Sequence, residues 1–384
     1  MSRFVRIALL FCVLCLLFVT STAAATPTYT LPLSAEEPPD TSAKAMVLLE
    51  AAGGTVLAQK NADERLPMAS TTKIMTALVV IERMDIEQTI SVPAEAVGVE
   101  GSSVYLFAGE QITVRTLLHA LLLSSANDAA TALAIASCGS VEAFADAMNQ
   151  KAAELLLSDT HFCNPHGLHD DGHYTTARDL ARLSAAALQN EVFAGIVATP
   201  RYTAPQNGTD ATRLFLNHNK LLTRYDDAVG VKTGFTKKSG RCLVSAAERD
   251  GLLLIAVTLN DPADWQDHAA LLDFGFSQYQ NFTATPLTLT VAVVGGTKGE
   301  VDLVPSGTLS LTLPSRAVVE CRIQAPRFLF GGFDANTPRG KLIYTANGQK
   351  LGEIALVSAE GVVAERPRGF FAAIGDFFSH IFSK

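Results

Sequence analysis

Three short segments carry side chains suited to nucleophilic chemistry. Ser70 and Lys73 stand three apart in Ser70-Thr71-Thr72-Lys73. On a helix that spacing puts both side chains on one face, where an amine reaches a hydroxyl. A serine hydroxyl is a poor nucleophile until a base takes its proton, and a lysine desolvated near another cation is such a base. At a helix start, free backbone N–H groups and the dipole also favour developing negative charge. Read alone, the same pair is equally a capping serine and a solvated lysine. Ser125-Ala126-Asn127 offers a hydroxyl for proton relay and an amide with donors and an acceptor for a substrate peptide. Its plainer reading is an N-cap before the alanine-rich run that follows. Lys232-Thr233-Gly234 places a cation and a hydroxyl beside a glycine that lets a substrate approach the backbone, although such a triplet also ends ordinary surface strands.

The surrounding pattern has to bring these three segments together. Ala43 to Glu50 and Thr55 to Gln59 flank Gly53-Gly54 and predict a β-hairpin. Ile74, Met75, Leu78 and Ile81 recur at helical spacing and predict a helix beginning near Ser70. Val114 to Leu123, Asn127 to Ala136, Val141 to Leu157 and Ala177 to Leu188 predict further helices. Val229 to Thr233, Arg241 to Ala247 and Leu252 to Leu259 read as short strands, followed by a helix over Asp267 to Phe274. Strands at both ends of a helical middle predict one antiparallel sheet, closed by its terminal segments and covered by helices. From Ser277 onward, β-rich runs punctuated by Gly, Pro and Asn predict a second, all-β domain without an acid–base–nucleophile cluster.

Composition narrows the function classes. The 384 residues are 48% apolar and 18% charged, which excludes a largely disordered chain. With 30 basic against 38 acidic residues the net charge is −8, so a nucleic-acid partner is not expected. Arg3 and Arg6 precede an apolar run from Ile7 to Val19 and the small residues Ala23, Ala24 and Ala25, the order of a cleaved signal peptide. That run falls short of the roughly 20 residues a membrane-spanning helix needs. The expected location is therefore outside the cytoplasm. Cys12 and Cys15 leave with the signal, and Cys138, Cys163, Cys242 and Cys321 are too few and too scattered for a disulfide scaffold.

Taken together and in this order, the three motifs are the signature of penicillin-recognising serine acyl enzymes. The chain resembles the low-molecular-mass D-alanyl-D-alanine carboxypeptidases over nearly its whole length. Ala69 to Ala77 matches the nucleophile segment, Ser124 to Ala130 the second motif and Lys232 to Thr236 the third. Asn164-Pro165-His166-Gly167-Leu168, followed by His173, Thr175 and Thr176, is similar to a further family segment. Two positions depart from the pattern. Val229 stands where the family commonly has an aspartate, and His218, between Asn217 and Asn219, stands where some members have an arginine near the substrate carboxylate.

The resemblance implies an α+β fold with a serine β-lactamase/D,D-peptidase-like catalytic domain, a small all-β domain and a C-terminal amphipathic helix. The expected division is a signal peptide at 1–25, the catalytic domain at 26–276, the all-β domain at 277–365 and the helix at 366–384. It implies peptidoglycan stem peptides ending in D-Ala-D-Ala as substrate, β-lactams as acylating inhibitors, and no cofactor. Ser70 would attack the penultimate carbonyl with Lys73 as base, helped by the nearby charge of Lys232. Ser125 would pass a proton to the departing amine. Asn127 would hold the peptide backbone, and Thr233 the terminal carboxylate beside Lys232 and Gly234. The backbone N–H groups of Ser70 and Phe235 would form the oxyanion hole. A class A-like β-lactamase and a catalytically weak penicillin-binding wall protein are the alternatives.

Two other stretches invite different chemistry. His161, Cys163, His166, His169 and His173 lie close together, but their spacing is not that of a zinc finger, and no metal is expected. Phe370, Phe371, Ile374, Phe377, Phe378, Ile381 and Phe382 form one apolar helical stripe just after Arg366 and Arg368. That pattern suits a helix lying in a membrane interface, about 22 Å long and too short to cross. The expected site of action is the outer face of the cytoplasmic membrane, on the cell-wall side.

Overall fold

The computed structural model describes residues 37–206 and 211–365. Strands β1 (Ala45–Glu50) and β2 (Val56–Lys60) form the expected hairpin. Its turn is tied by the Glu50 carboxylate, which accepts from the N–H groups of Ala52 at 2.6 Å and Gly53 at 2.8 Å. A 3₁₀ turn (Ala69–Thr72) leads into α1 (Lys73–Arg83), and β3 (Thr89–Ser91) pairs with β4 (Gln111–Thr113). Helices α2 (Val114–Leu123), α3 (Asn127–Cys138), α4 (Val141–Glu154), α5 (Ala177–Leu188) and α6 (Glu191–Val197) follow. The side chains of Thr113, Ser140, Thr176 and Asn190 cap α2, α4, α5 and α6 by accepting a first-turn N–H. Gly139, at φ +85°, ends α3 in the left-handed conformation that glycine adopts without strain.

A second hairpin, β5 (Arg201–Pro205) and β6 (Thr212–Leu216), precedes β7 (Ala228–Thr236), β8 (Gly240–Arg249), β9 (Leu252–Leu259) and the long α7 (Asp264–Gln278). The antiparallel sheet runs β2-β1-β9-β8-β7; it is open, not closed as expected, although the early strand β1 and the late strand β9 do pair within it. Alternation decides what each face meets. Ala45, Val47 and Leu49 with Ile255 and Val257 pack under the helical layer of Ile74, Met75 and Leu78. Met46 and Leu48 with Leu254 and Ala256 instead meet Leu271 and Leu272 of α7. Burial on both faces explains why these strands read as unbroken apolar runs. Being last in the sheet, β7 has one edge without a partner strand among the described residues.

After α7 the regular elements among the described residues are all strands. Strand β10 (Tyr279–Thr283) pairs with β13 (Ser310–Pro314). The others are β11 (Leu289–Val294), β12 (Glu300–Pro305), β14 (Val319–Gln324), β15 (Phe328–Phe330), β16 (Pro338–Ala346) and β17 (Gln349–Val357). They form a six-stranded sheet ordered β14-β16-β17-β12-β11-β15. Val291, Val301, Leu303, Leu342, Leu351 and Leu356 are among its buried residues. The expected signal peptide (1–25) and amphipathic helix (366–384) lie outside the described residues. Among the described residues no helix is long and apolar enough to cross a membrane, and the cysteines at 138, 163, 242 and 321 are free.

Candidate active site

Ser70 does not sit on the first turn of an α-helix. It lies in the 3₁₀ turn before it, because two threonines redirect the local hydrogen bonding. Thr71 Oγ1 donates to the Met68 carbonyl at 2.7 Å and Thr72 Oγ1 to the Ala69 carbonyl at 2.8 Å. Such side-chain bonds back to the chain compete with regular helix. Ala69 adopts φ +48°, a region that a residue with a Cβ enters only when its surroundings hold it there. The α-helix then starts at Lys73, one turn beyond Ser70.

Lys73 is fully buried and has three neighbours for its amine. Its Nζ lies 3.0 Å from Ser70 Oγ, 2.7 Å from Asn127 Oδ1 and 2.7 Å from the His166 carbonyl oxygen. Burial drives its pKa well below the usual lysine value, the charge of Lys232 lowers it further, and Asp128 opposes them. Asn127 is itself clamped by the loop facing it. Its backbone N–H donates to the Ser102 carbonyl at 2.7 Å, and its Nδ2 donates to the Glu100 carbonyl at 2.5 Å. Gly101 permits that approach, since a Cβ there would stand 2.7 Å from Asn127 Nδ2. Buried Asp128 anchors the same loop by accepting from Ser103 Oγ at 2.6 Å and the Leu106 N–H at 3.1 Å.

Ser125 does not cap α3. The cap position belongs to Ala126, with no side-chain bond, and Ser125 stands at φ +58° with 5% exposure. It lies outside the set of bonds joining Ser70, Lys73 and Asn127.

Strand β7 forms the opposite wall. Lys232 is 1% exposed, donates to the Thr233 carbonyl at 2.9 Å, and is pushed down to about 7 by burial. Thr233 is half-buried, whereas Phe235 is 64% exposed. Gly234 packs against the Ala69–Thr72 turn: a Cβ on it would lie 3.1 Å from the Ser70 nitrogen and 3.1 Å from the Met68 carbonyl. At the two departures from the family pattern, Val229 packs against the hydrophobic core and His218 stands near Lys232. Burial and the Lys232 charge both lower the His218 pKa. Its N–H donates to the Leu123 carbonyl at 3.3 Å.

The histidine-rich loop contributes backbone as well as side chains. The Pro165 carbonyl accepts from Thr76 Oγ1 at 2.6 Å, and the His166 carbonyl accepts from Lys73. Gly167, at φ +86°, lies so close to the Ala69–Thr72 turn that a Cβ would be 1.9 Å from the Ala69 carbonyl oxygen. Spacing reveals none of these carbonyl contacts; the glycine in Asn164-Pro165-His166-Gly167 is the only hint. Among the described residues no group of three or more His, Cys, Asp or Glu side chains converges as metal ligands.

Residues 33–263 match the model of a protein family described as D-alanyl-D-alanine carboxypeptidase. The chain is 33% identical over 343 residues to D-alanyl-D-alanine carboxypeptidase DacF of Bacillus subtilis, covering 85% of this chain and 84% of that protein. It is 32% identical to DacC of Escherichia coli over 373 residues, covering 89% and 88% of the two chains. Its fold is similar to that of penicillin binding protein 5 from Haemophilus influenzae, with TM-score 0.67 and 26% identity over 85% of this chain and 99% of that one.

Proposed function

The chain belongs to the D-alanyl-D-alanine carboxypeptidase family, and from that premise we propose how its residues divide the reaction. It is a serine-type carboxypeptidase that removes the terminal D-alanine of peptidoglycan stem pentapeptides through an acyl-enzyme, and penicillins acylate it.

The observation that carries the residue roles is the set of three neighbours at Lys73 Nζ. Two of them, the Asn127 and His166 carbonyl oxygens, only accept hydrogen bonds. A neutral amine has two N–H groups for those oxygens and one lone pair, which is left for the hydroxyl of Ser70 at 3.0 Å. Lys73 thus takes the Ser70 proton as Ser70 Oγ attacks the carbonyl of the penultimate D-alanine. The oxyanion is held by the N–H groups of Ser70 and Phe235. Lys232 and Thr233 bind the terminal carboxylate, and Asn127 Nδ2 and β7 align the peptide. As the C–N bond breaks, Ser125 relays the proton from Lys73 to the leaving amine. D-Alanine departs, and water hydrolyses the Ser70 ester with Lys73 again as base.

Replacing Lys73 with alanine is predicted to slow acylation by a β-lactam by ~10²–10⁴-fold, the usual worth of a positioned base. Stopped-flow acylation of the variant within threefold of the parent would contradict the scheme.

The wider arrangement is also a proposal. The order of charge, apolar run and small residues supports export by a signal at 1–25. The change to all-strand structure after α7 supports a catalytic part ending near 276 and a β part over 277–365. The phenylalanine stripe supports an interfacial helix at 366–384, which would hold the enzyme at the membrane surface on the cell-wall side.

A further inference from the structure

The peptide bond between Ala69 and Ser70 has its carbonyl and its N–H pointing in opposite directions, as every trans peptide does. Whatever fixes the Ala69 carbonyl therefore aims the Ser70 N–H. That carbonyl accepts the proton of Thr72 Oγ1 at 2.8 Å. Having given up its one proton, the Thr72 hydroxyl must accept in its other bond, to His173 Nε2 at 2.7 Å. His173 Nδ1 faces the Cys163 backbone N–H at 3.0 Å, and a backbone N–H only donates. Nδ1 is thus the acceptor nitrogen and Nε2 carries the proton. Every donor and acceptor in the series Cys163 N–H, His173, Thr72, Ala69 carbonyl is determined by the one before it.

The series is dry and braced. Thr72 is fully buried and His173 is 3% exposed. The Phe162 ring meets the imidazole edge-on at 5.8 Å between centroids. Burial holds the imidazole neutral, with its pKa pushed down to about 4. Gly167 packs against the same carbonyl and hydroxyl: a Cβ on it would lie 1.9 Å from the Ala69 oxygen and 2.9 Å from Thr72 Oγ1.

We propose that His173 is a positioning residue for the oxyanion hole, acting through Thr72 to orient the Ala69–Ser70 peptide so that the Ser70 N–H points at the reacting carbonyl oxygen. The proposal rests on the reading of the Ser70 N–H as an oxyanion donor. His173 bonds to Thr72 and the Cys163 N–H rather than to Ser70, so its effect belongs in the acylation rate and not in capture of the ligand.

The test is the infrared band of the ester carbonyl in the acyl-enzyme formed with an isotope-labelled penicillin, measured beside acylation kinetics. In the parent the band should lie below that of a model ester in water, because two N–H groups polarise it. Thr72→Val, close in shape but without the hydroxyl, should move the band up toward the model ester. It should slow acylation by roughly 10- to 100-fold, less than outright loss of an oxyanion donor, with the pre-covalent dissociation constant within about twofold. His173→Leu should do the same, and Thr72→Ser should restore both band and rate. If His173→Leu fails to fold, the Thr72 pair decides the matter. A lower melting temperature with an unmoved band and parental acylation would overturn the proposal and leave a purely structural role. A parent band already at the model-ester position would overturn the oxyanion reading, and this proposal with it.

Discussion

Lys73 and Lys232 are two buried amines in one cleft, and each carries a different task in the proposed scheme. Burial lowers both, the Lys232 charge lowers Lys73 further, and the scheme requires Lys73 to be the one that loses its proton first. The base must be neutral and the carboxylate binder charged. The value of kcat/KM should accordingly rise on the acid side as Lys73 deprotonates, and fall on the alkaline side above about 7 as Lys232 does. Lys232→Gln should abolish the alkaline limb. It should also shift the acid limb to higher pH, because removing a neighbouring cation raises the pKa of Lys73. An acid limb that stays in place in a pH–rate profile of that variant would contradict the electrostatic link. The spacing of Ser70 and Lys73 allowed their contact, but only the three motifs together singled the pair out. The clamp of Glu100 and Ser102 on Asn127 was not legible, since it depends on a loop folding back from a distant part of the chain.

At the scale of elements, periodicity located most of the helices but not how their ends are finished. The α2 helix spans the expected Val114 to Leu123, where a capping threonine precedes an unbroken apolar run. The helix expected near Ser70 opens as a 3₁₀ turn, since Thr71 and Thr72 bond backward. Ser125 looked like a cap and is none, because the chain takes φ +58° there and Ala126 occupies the cap position. The seven-residue α6 and the β5–β6 hairpin were not anticipated. Pieces so short draw their stability from tertiary packing and leave little pattern in the sequence.

Two predictions belong at this scale. Gly167→Ala forces a Cβ into the Ala69 carbonyl at a positive φ, so it should cost roughly 2–5 kcal/mol and slow acylation. Denaturant melts and acylation kinetics check this, and parental values for both would be the contrary result. His268, fully buried between α7 and the sheet, bonds Ser245 Oγ at 2.5 Å and Thr258 Oγ1 at 2.9 Å, and burial pushes it down to about 3. The unfolded chain takes up the proton first, so this stability is complete above the ordinary histidine value and is lost as pH falls toward the folded one. Between pH 7 and 5 the loss should be roughly 2 kcal/mol smaller in His268→Gln than in the parent. Denaturant melts at the two pH values measure it, and an equal loss in both proteins would refute the assignment.

At the scale of the molecule, the residues assigned to chemistry end at Phe235, while the phenylalanine stripe begins at Phe370 with an entire β region between. Deleting residues 366–384 should therefore move the enzyme from the membrane fraction into solution and leave turnover of a small soluble peptide within about twofold. An interfacial helix is held by its own buried apolar area and by its arginines near anionic lipid. Retention of the truncated protein on liposomes in a flotation assay would contradict the anchor. Mass spectrometry of the purified protein with a pentapeptide ending in D-Ala-D-Ala checks that the enzyme works as a serine carboxypeptidase through Ser70. The products should be free D-alanine and the tetrapeptide. Rapid quenching should trap a tetrapeptidyl ester, which peptide mapping places on Ser70. Release of D-alanine that persists undiminished in Ser70→Ala, or an acyl group mapped to another residue, would contradict it.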